Sequence, residues 1–341
     1  MPKSLIKRVS ESKLIIFLLL IFGLGFFLRV YRIDSLLGFY YDQGRDALII
    51  QEFLQRGKLF LIGPATGGIE GFFRGPWYYW LITPFYFLGK GNPVCPAVFL
   101  VLTVVFSLFL LYKLGEKLSG EGTGLIALLI GSFSYYLVNA SRWLSNPTPM
   151  FLVSVLLVYS LFLILEGKKL AWLLLAFLLG MGMQFGGLAE LFYFHAVLVF
   201  AIWQRKNFPG FKILILSFFL LCLVFAPQVF FDIRHQGILS TAIKKFLFEK
   251  ESFRISFWVV LKVRTVFYFN LFASKIFPFN KILSGVTFVV VFLNAWRKRK
   301  EIFSNKYFVT LSLLLGAPLI GMVFFKATTV MFTIIILRAI T

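Results

Sequence analysis

The chain has 341 residues, 60% of them hydrophobic and only 14% charged, with a mean hydropathy of +0.88. That is too apolar for a water-soluble globule, in which roughly half the residues are apolar and about a quarter charged. The formal net charge of +21 is clustered between apolar runs, so the cations read as topology determinants and phosphate ligands, and no nucleic-acid partner is expected. Two cysteines, Cys95 and Cys222, exclude a disulfide scaffold, a CxxC redox pair and a structural zinc cluster.

A helical span needs roughly 20 apolar residues, so the length leaves room for about ten. The expected fold is an all-α polytopic membrane protein, one helical domain over residues 1–341 with interfacial helices in long external loops. The first apolar run, Leu14 to Leu28, follows Lys3, Lys7, Arg8 and Lys13, lacks a small-residue cleavage site and continues into Arg29-Val30-Tyr31-Arg32. It predicts an uncleaved anchor with a cytoplasmic amino terminus. Residues 32–93 then form the first external loop, in which the apolar stretch Trp77 to Leu88 is too short to cross.

Lys113/Lys117, Lys168/Lys169, Arg205/Lys206 and Arg297 to Lys300 mark four cytoplasmic turns, because short cytoplasmic loops are enriched in Lys and Arg. Spans are predicted at 94–112, 123–139, 150–166 and 211–227, with a short pair over 170–204 that turns near Gln184-Phe185-Gly186-Gly187. Residues 228–281 carry Lys244, Lys245, Lys250, Arg254, Lys262 and Arg264, and read as a second large external segment of interfacial helices. Runs at 282–296, 307–324 and 327–341 complete the chain; stopping inside an apolar run, it predicts a shortened carboxyl end or an incomplete last helix.

Ionisable groups are scarce, so their clustering is informative. The densest cluster is Tyr40-Tyr41-Asp42-Gln43-Gly44-Arg45-Asp46, heading a helical pattern from Gln43 to Arg56 that Gly57 stops. Asp42 would be its N-cap, with Arg45 and Asp46 over the same face; a capped amphipathic helix on the membrane and a catalytic carboxylate both fit. A loop follows with Gly57, Gly63, Gly67, Gly68, Gly71 and Gly75, which has no Gly-Lys-Ser/Thr ending and so is not a nucleotide-binding P-loop. It leads into Arg74, a candidate phosphate ligand by its planar fork of donors. The aromatics Trp77, Tyr78, Tyr79 and Trp80 suit an interfacial belt or a sugar-stacking platform.

In the turn Ser141 to Pro149, Arg142 either snorkels to headgroups or binds phosphate. A third external cluster, Pro227 to His235, includes Asp232, Arg234 and His235, able to bind a phosphate but a weak metal signature. His195 reads as a hydrogen-bonded interior residue, and Glu190 as a costly carboxylate at membrane depth whose role is open. Asp42, Arg142 and the 227–235 cluster fall on one face of the membrane. They suit a substrate with a lipid tail, an anionic phosphate and a polar head.

Over about residues 10–240 the chain resembles the multispanning GT-C glycosyltransferases that use polyprenyl-phosphate sugars, the group of protein O-mannosyltransferases and aminoarabinose transferases of lipid A. The resemblance rests on Tyr41-Asp42-Gln43-Gly44-Arg45-Asp46-Ala47, Gly75-Pro76-Trp77-Tyr78-Tyr79, Ser141-Arg142 with Asn146-Pro147, and Asp232-Ile233-Arg234-His235. It implies Asp42 as catalytic base, and Arg45, Asp46, Arg74, Tyr78, Tyr79, Arg142, Asn146, Asp232, Arg234 and His235 as substrate-binding residues. Many relatives have Glu where this chain has Gln43, and Asp in the second external turn where it has Asn146 or Thr148. Both departures argue against a second carboxylate at 43 and a metal shared between loops, so no cofactor is expected, with a divalent metal left open.

The activity implied is inverting transfer of a sugar from a polyprenyl-phosphate donor to an extracytoplasmic lipid, glycan or protein acceptor, in a bacterial or archaeal plasma membrane, with membrane lipids as further partners. A transporter or flippase for lipid-linked sugars would use the same basic groups, but the chain shows no paired repeats with broken helices. A catalytically inactive binder of lipid-linked sugars is the third reading, suggested by Gln43 and Asn146.

Overall fold

The computed structural model describes residues 3–66, 69–248, 256–277 and 280–324. Gly67, Gly68, Lys250, Arg254 and the apolar run 327–341 lie outside the described residues. The described chain is a bundle of α-helices whose only β contact is an isolated bridge between Ala65 and Phe73. Among the described residues four helices are long and apolar enough to cross a membrane: Ser12–Val30 within α1 (Lys3–Val30), α5 (Val94–Ser119), α11 (Phe211–Arg234) and Lys306–Val323 within α16 (Lys306–Phe324). Three shorter apolar helices, α8 (Met150–Leu165), α9 (Ala171–Phe185) and α10 (Leu191–Trp203), lie among them. The all-α polytopic membrane architecture expected from composition is what the chain adopts.

Burial sorts these helices. Most of α8 is buried and the stripe Leu152, Leu156, Tyr159 and Leu163 is half-buried, as expected of a helix largely enclosed by others, and α5 and α9 pack against it. In contrast, α1, α11 and α14 (Lys281–Arg297) leave Leu19, Leu20, Phe218, Phe219, Val291 and Phe292 exposed, the pattern of surfaces that face lipid.

The predicted span at 123–139 is instead two helices, α6 (Glu121–Phe133) and α7 (Tyr135–Ser141), meeting at 62°. Ser134 caps α7 by accepting from the Leu137 amide at 3.4 Å. On the other side of the break the fully buried Arg29 of α1 takes the carbonyls of Gly131 at 2.8 Å and Ser132 at 2.9 Å. Carbonyls that a continuous helix would bond internally are thus satisfied by a guanidinium from another helix. α11 also overruns its prediction: it continues through Pro227 to Arg234, so the 227–235 cluster is the end of a helix rather than a loop.

All four basic turns gather at one end of the bundle. Lys117 pairs with Glu166 at 2.5 Å, Lys306 donates to the Leu165 carbonyl at 3.0 Å, and Asn305 to that of Leu118 at 3.2 Å. Trp172 ties in the 205–207 turn by donating to the Asn207 carbonyl at 3.1 Å. The opposite end carries α3 (Tyr41–Arg56), the glycine loop and α4 (Trp77–Leu88). There α12 (Ile238–Phe248) lays Phe246 on Ile69 and Phe72. α13 (Phe257–Ile276) packs against α16, its Tyr268 hydroxyl donating to the Leu319 carbonyl at 3.0 Å.

Candidate active site

The head of α3 is built by Gln43, not Asp42. Tyr40 is the N-cap residue, and the buried Gln43 side chain reaches back to accept from its backbone N–H at 3.0 Å, the reciprocal half of a capping box. The expectation that Asp42 is the N-cap is therefore corrected: it sits one residue inside the helix, where its carboxylate is left for other work. Gly57 ends the helix at φ 67°, a left-handed conformation that glycine adopts without steric cost.

Asp42 is 65% exposed, and one of its oxygens accepts from Arg45 at 2.9 Å. Arg45 turns its remaining donors on the buried Asp46, Nη2 at 2.7 Å and Nε at 3.0 Å. The Tyr79 hydroxyl, from α4, donates to the same Asp46 oxygen at 2.8 Å. Burial pushes the Asp46 carboxyl upward against the opposing pull of Arg45 and Tyr79. The result is a carboxylate at the surface, held by an arginine that a second, buried carboxylate holds in turn, that second carboxylate being itself bonded by Tyr79. Tyr78, beside it, is fully buried, so its ring is part of the core rather than a stacking surface.

A second polar cluster closes beneath the glycine loop. That loop folds on itself, with the Gly63 amide on the Arg74 carbonyl at 2.7 Å and the Thr66 amide on the Phe72 carbonyl at 2.9 Å. Arg74 is buried; it donates to the carbonyls of Gly186 and Ala65, both at 2.9 Å. The Gly75 amide donates to Gln184 at 2.6 Å, Gln184 to Gln228 at 2.7 Å, and Gln228 to the Phe73 carbonyl at 2.9 Å. A side chain at Gly75 would meet Gln184 Oε1 at 2.3 Å, so it would displace the amide that the Gly75 N–H bonds. Asn146 joins in through the Phe185 carbonyl at 2.9 Å.

Glu190 lies in the same turn, fully buried, accepting from the Gly187 amide at 2.5 Å. Burial pushes its carboxyl up to about 7, opposed by the backbone bonds and by Arg74. The opposing field is that of Arg74, whose own pKa burial lowers to about 10. These residues hold the first loop, the 146 turn and the ends of α9 and α11 as one unit. Gln184 and Gln228 were readable as isolated amides within apolar runs, but a neutral side chain gives no sign of its partner.

The remaining candidates stand apart. Asp232 caps α12, accepting from the amides of Leu239 at 2.6 Å and Ser240 at 3.2 Å. His235 bonds the Phe231 carbonyl at 2.8 Å and stacks on its ring at 3.9 Å, and Arg234 is exposed. Among the described residues, no hydrogen bond or ion pair joins these three to Asp42, Arg45 or Asp46. Asp232 is thus engaged at the head of α12, with Arg234 and His235 exposed beside it. Arg142 donates to the Arg29 carbonyl at 3.2 Å and to that of Leu28, bonding the last turn of α1.

His195 is exposed rather than interior. The inward face of α10 is carried by Tyr193, Ala196 and Phe200, at helical spacing that leaves residue 195 off that stripe. Among the described residues no three His, Cys, Asp or Glu side chains converge as metal ligands.

Residues 74–231 match the family model described as dolichyl-phosphate-mannose-protein mannosyltransferase. No curated protein and no solved structure matches the chain. The matched segment runs from Arg74 through the buried cluster to Phe231, one residue before Asp232, and does not include α3. The resemblance drawn from the motifs is thus borne out at the level of the family. The matched segment is somewhat under half of the chain; with the helical membrane architecture it makes the chain similar to the dolichyl-phosphate-mannose-protein mannosyltransferases, a GT-C-type family, and supports a membrane glycosyltransferase.

Proposed function

We propose that the protein transfers a sugar from a polyprenyl-phosphate donor to an acceptor hydroxyl on the extracytoplasmic face, with inversion, and that Asp42 is the base. The observation that carries this reading is the exposed Asp42 carboxylate, fixed by Arg45 at 2.9 Å while Arg45 is itself locked by Asp46. The acceptor oxygen forms its bond to the anomeric carbon as the bond from that carbon to the phosphate oxygen breaks. The electron pair leaves with the phosphate, and the hydroxyl proton goes to Asp42.

Arg45 is the guanidinium nearest this carboxylate and the candidate to stabilise charge growing on the phosphate. Arg74 and Arg142 use donors on backbone carbonyls, which suits them to bracing the loops. The extracytoplasmic assignment follows from the four basic turns at the opposite end, since Lys and Arg accumulate on the cytoplasmic side.

The test is release of free polyprenyl phosphate from a panel of polyprenyl-phosphate sugars, by the protein in liposomes with an envelope acceptor fraction. Acceptor-dependent release that drops by about 10²- to 10⁴-fold in Asp42→Asn supports the reading. Wild-type turnover in a folded Asp42→Asn protein rejects Asp42 as base.

A further inference from the structure

A cleft of about 590 Å³ runs along α3 beyond Asp46. Gln51, Leu54 and Gln55 of α3 form one wall; Tyr86 and Phe87 of α4, with Lys90 just past it, form the other. The functional reading above uses none of them. Gln51 and Gln55 are exposed one helical turn apart, and neither amide is taken by a hydrogen bond within the described residues. Lys90 has no acidic partner among the described residues. The nearby Glu52 is already paired with Arg56 at 3.0 Å and Lys58 at 3.5 Å. Phe87 is 69% exposed, and the Asp46 carboxylate acts on Tyr86 at the inner wall.

Each feature narrows the occupant. A primary amide both donates and accepts, as a sugar hydroxyl does, and two amides one turn apart can meet neighbouring hydroxyls. Exposed Phe87 and Leu54 offer an apolar surface to the C–H face of a sugar ring. An acyl chain would leave both amides and the ammonium unmatched. No acidic residue lines the cleft, so a basic peptide finds no counter-charge, whereas Lys90 accepts a carboxylate or phosphate substituent. Along α3, Gln51 and Gln55 lie about 14 and 20 Å from Asp42 at the helical rise of 1.5 Å per residue, the span of an oligosaccharide rather than of one sugar.

We propose that this cleft is the subsite for the inner sugar units of an oligosaccharide acceptor, whose terminal hydroxyl reaches Asp42. The proposal rests on the transferase reading and adds the acceptor class to it. The test is retention of the full chain, in lipid nanodiscs, on an array carrying monosaccharides, oligosaccharides with and without acidic substituents, and Ser/Thr-containing peptides.

Retention on oligosaccharides over monosaccharides is expected. It should be about tenfold weaker for the Gln51→Ala/Gln55→Ala variant, as the loss of two ordinary hydrogen bonds implies. These exposed helix positions accept alanine without loss of fold, and Phe87→Ala provides a second, independent weakening. No retention, equal retention by the variants, or retention on peptides alone would overturn the proposal. Slow hydrolysis of the donor by the unaltered protein without acceptor is read in parallel. Hydrolysis with no glycan retained removes the cleft but keeps the transferase reading; retention without hydrolysis does the reverse.

Discussion

The head of α3 and the turn at residues 184–190 are both organised by an arginine, and they differ in what that arginine holds. At α3, Arg45 bonds two carboxylates on its own helix, one buried and one 65% exposed. At the turn, the buried Arg74 bonds two backbone carbonyls from segments far apart in sequence, 65 and 186. Carboxylate partners can be exchanged for another anion, and the outer one can take a proton. Carbonyl partners can do neither, so the second arginine fixes the chain path and the first is left able to meet a substrate.

Substitutions can break or sharpen that contrast. The largest expected effect is on catalysis: Asp42→Asn should lower turnover by about 10²- to 10⁴-fold while its melting temperature in detergent stays at the wild-type value, because Gln43 rather than Asp42 completes the helix head. Arg74→Leu should do the opposite, costing about 3 kcal/mol of stability in a denaturant titration by orphaning two buried carbonyls and removing the positive charge near the buried Glu190. An Arg74→Leu protein with normal stability and no turnover would move Arg74 from scaffold to site.

Gln184→Leu removes the acceptor of the Gly75 amide and the donor to Gln228, and should cost about 1–3 kcal/mol by the same titration. The smallest effect is a pH dependence. Glu190 has an ordinary value of 4.5 and is pushed up to about 7 in the folded protein, so the folded state binds the extra proton between those values. Its contribution to stability is complete below pH 4.5 and is lost as pH rises through about 7. Melting temperature measured across that window should fall with pH in the wild type and fall less in Glu190→Gln.

The elements were largely legible in the sequence because apolar runs and basic turns are strong local signals. α8, α9 and α10 lie where those signals put them, and the four basic turns share one end. What was not legible depends on partners remote in sequence. The break at Ser134 involves an arginine about a hundred positions earlier, and the span predicted over 211–227 runs on to Arg234. Within the site, Asp42, Arg45 and Asp46 could be grouped because they are three and four apart on one helix. That Asp46 is bonded by Tyr79, and that Asp232 serves α12 rather than Arg234 and His235, required the fold. The Gln184–Gln228 link is invisible for the plainest reason: an uncharged side chain carries no long-range field.

The Arg29 guanidinium has a consequence for the order in which the protein is made. Its acceptors Gly131 and Ser132 lie 102 and 103 positions later in the chain, so they do not exist when the first helix leaves the ribosome. Until the α6–α7 bend has been synthesised, this cation sits among apolar residues with only the Gly25 carbonyl of its own helix, at 2.8 Å, to receive it. A lone cation near a helix end draws toward water and headgroups, which holds the nascent first helix shallow. Final seating of that helix therefore waits for the Gly131 and Ser132 carbonyls to arrive, making co-translational timing part of how this bundle assembles.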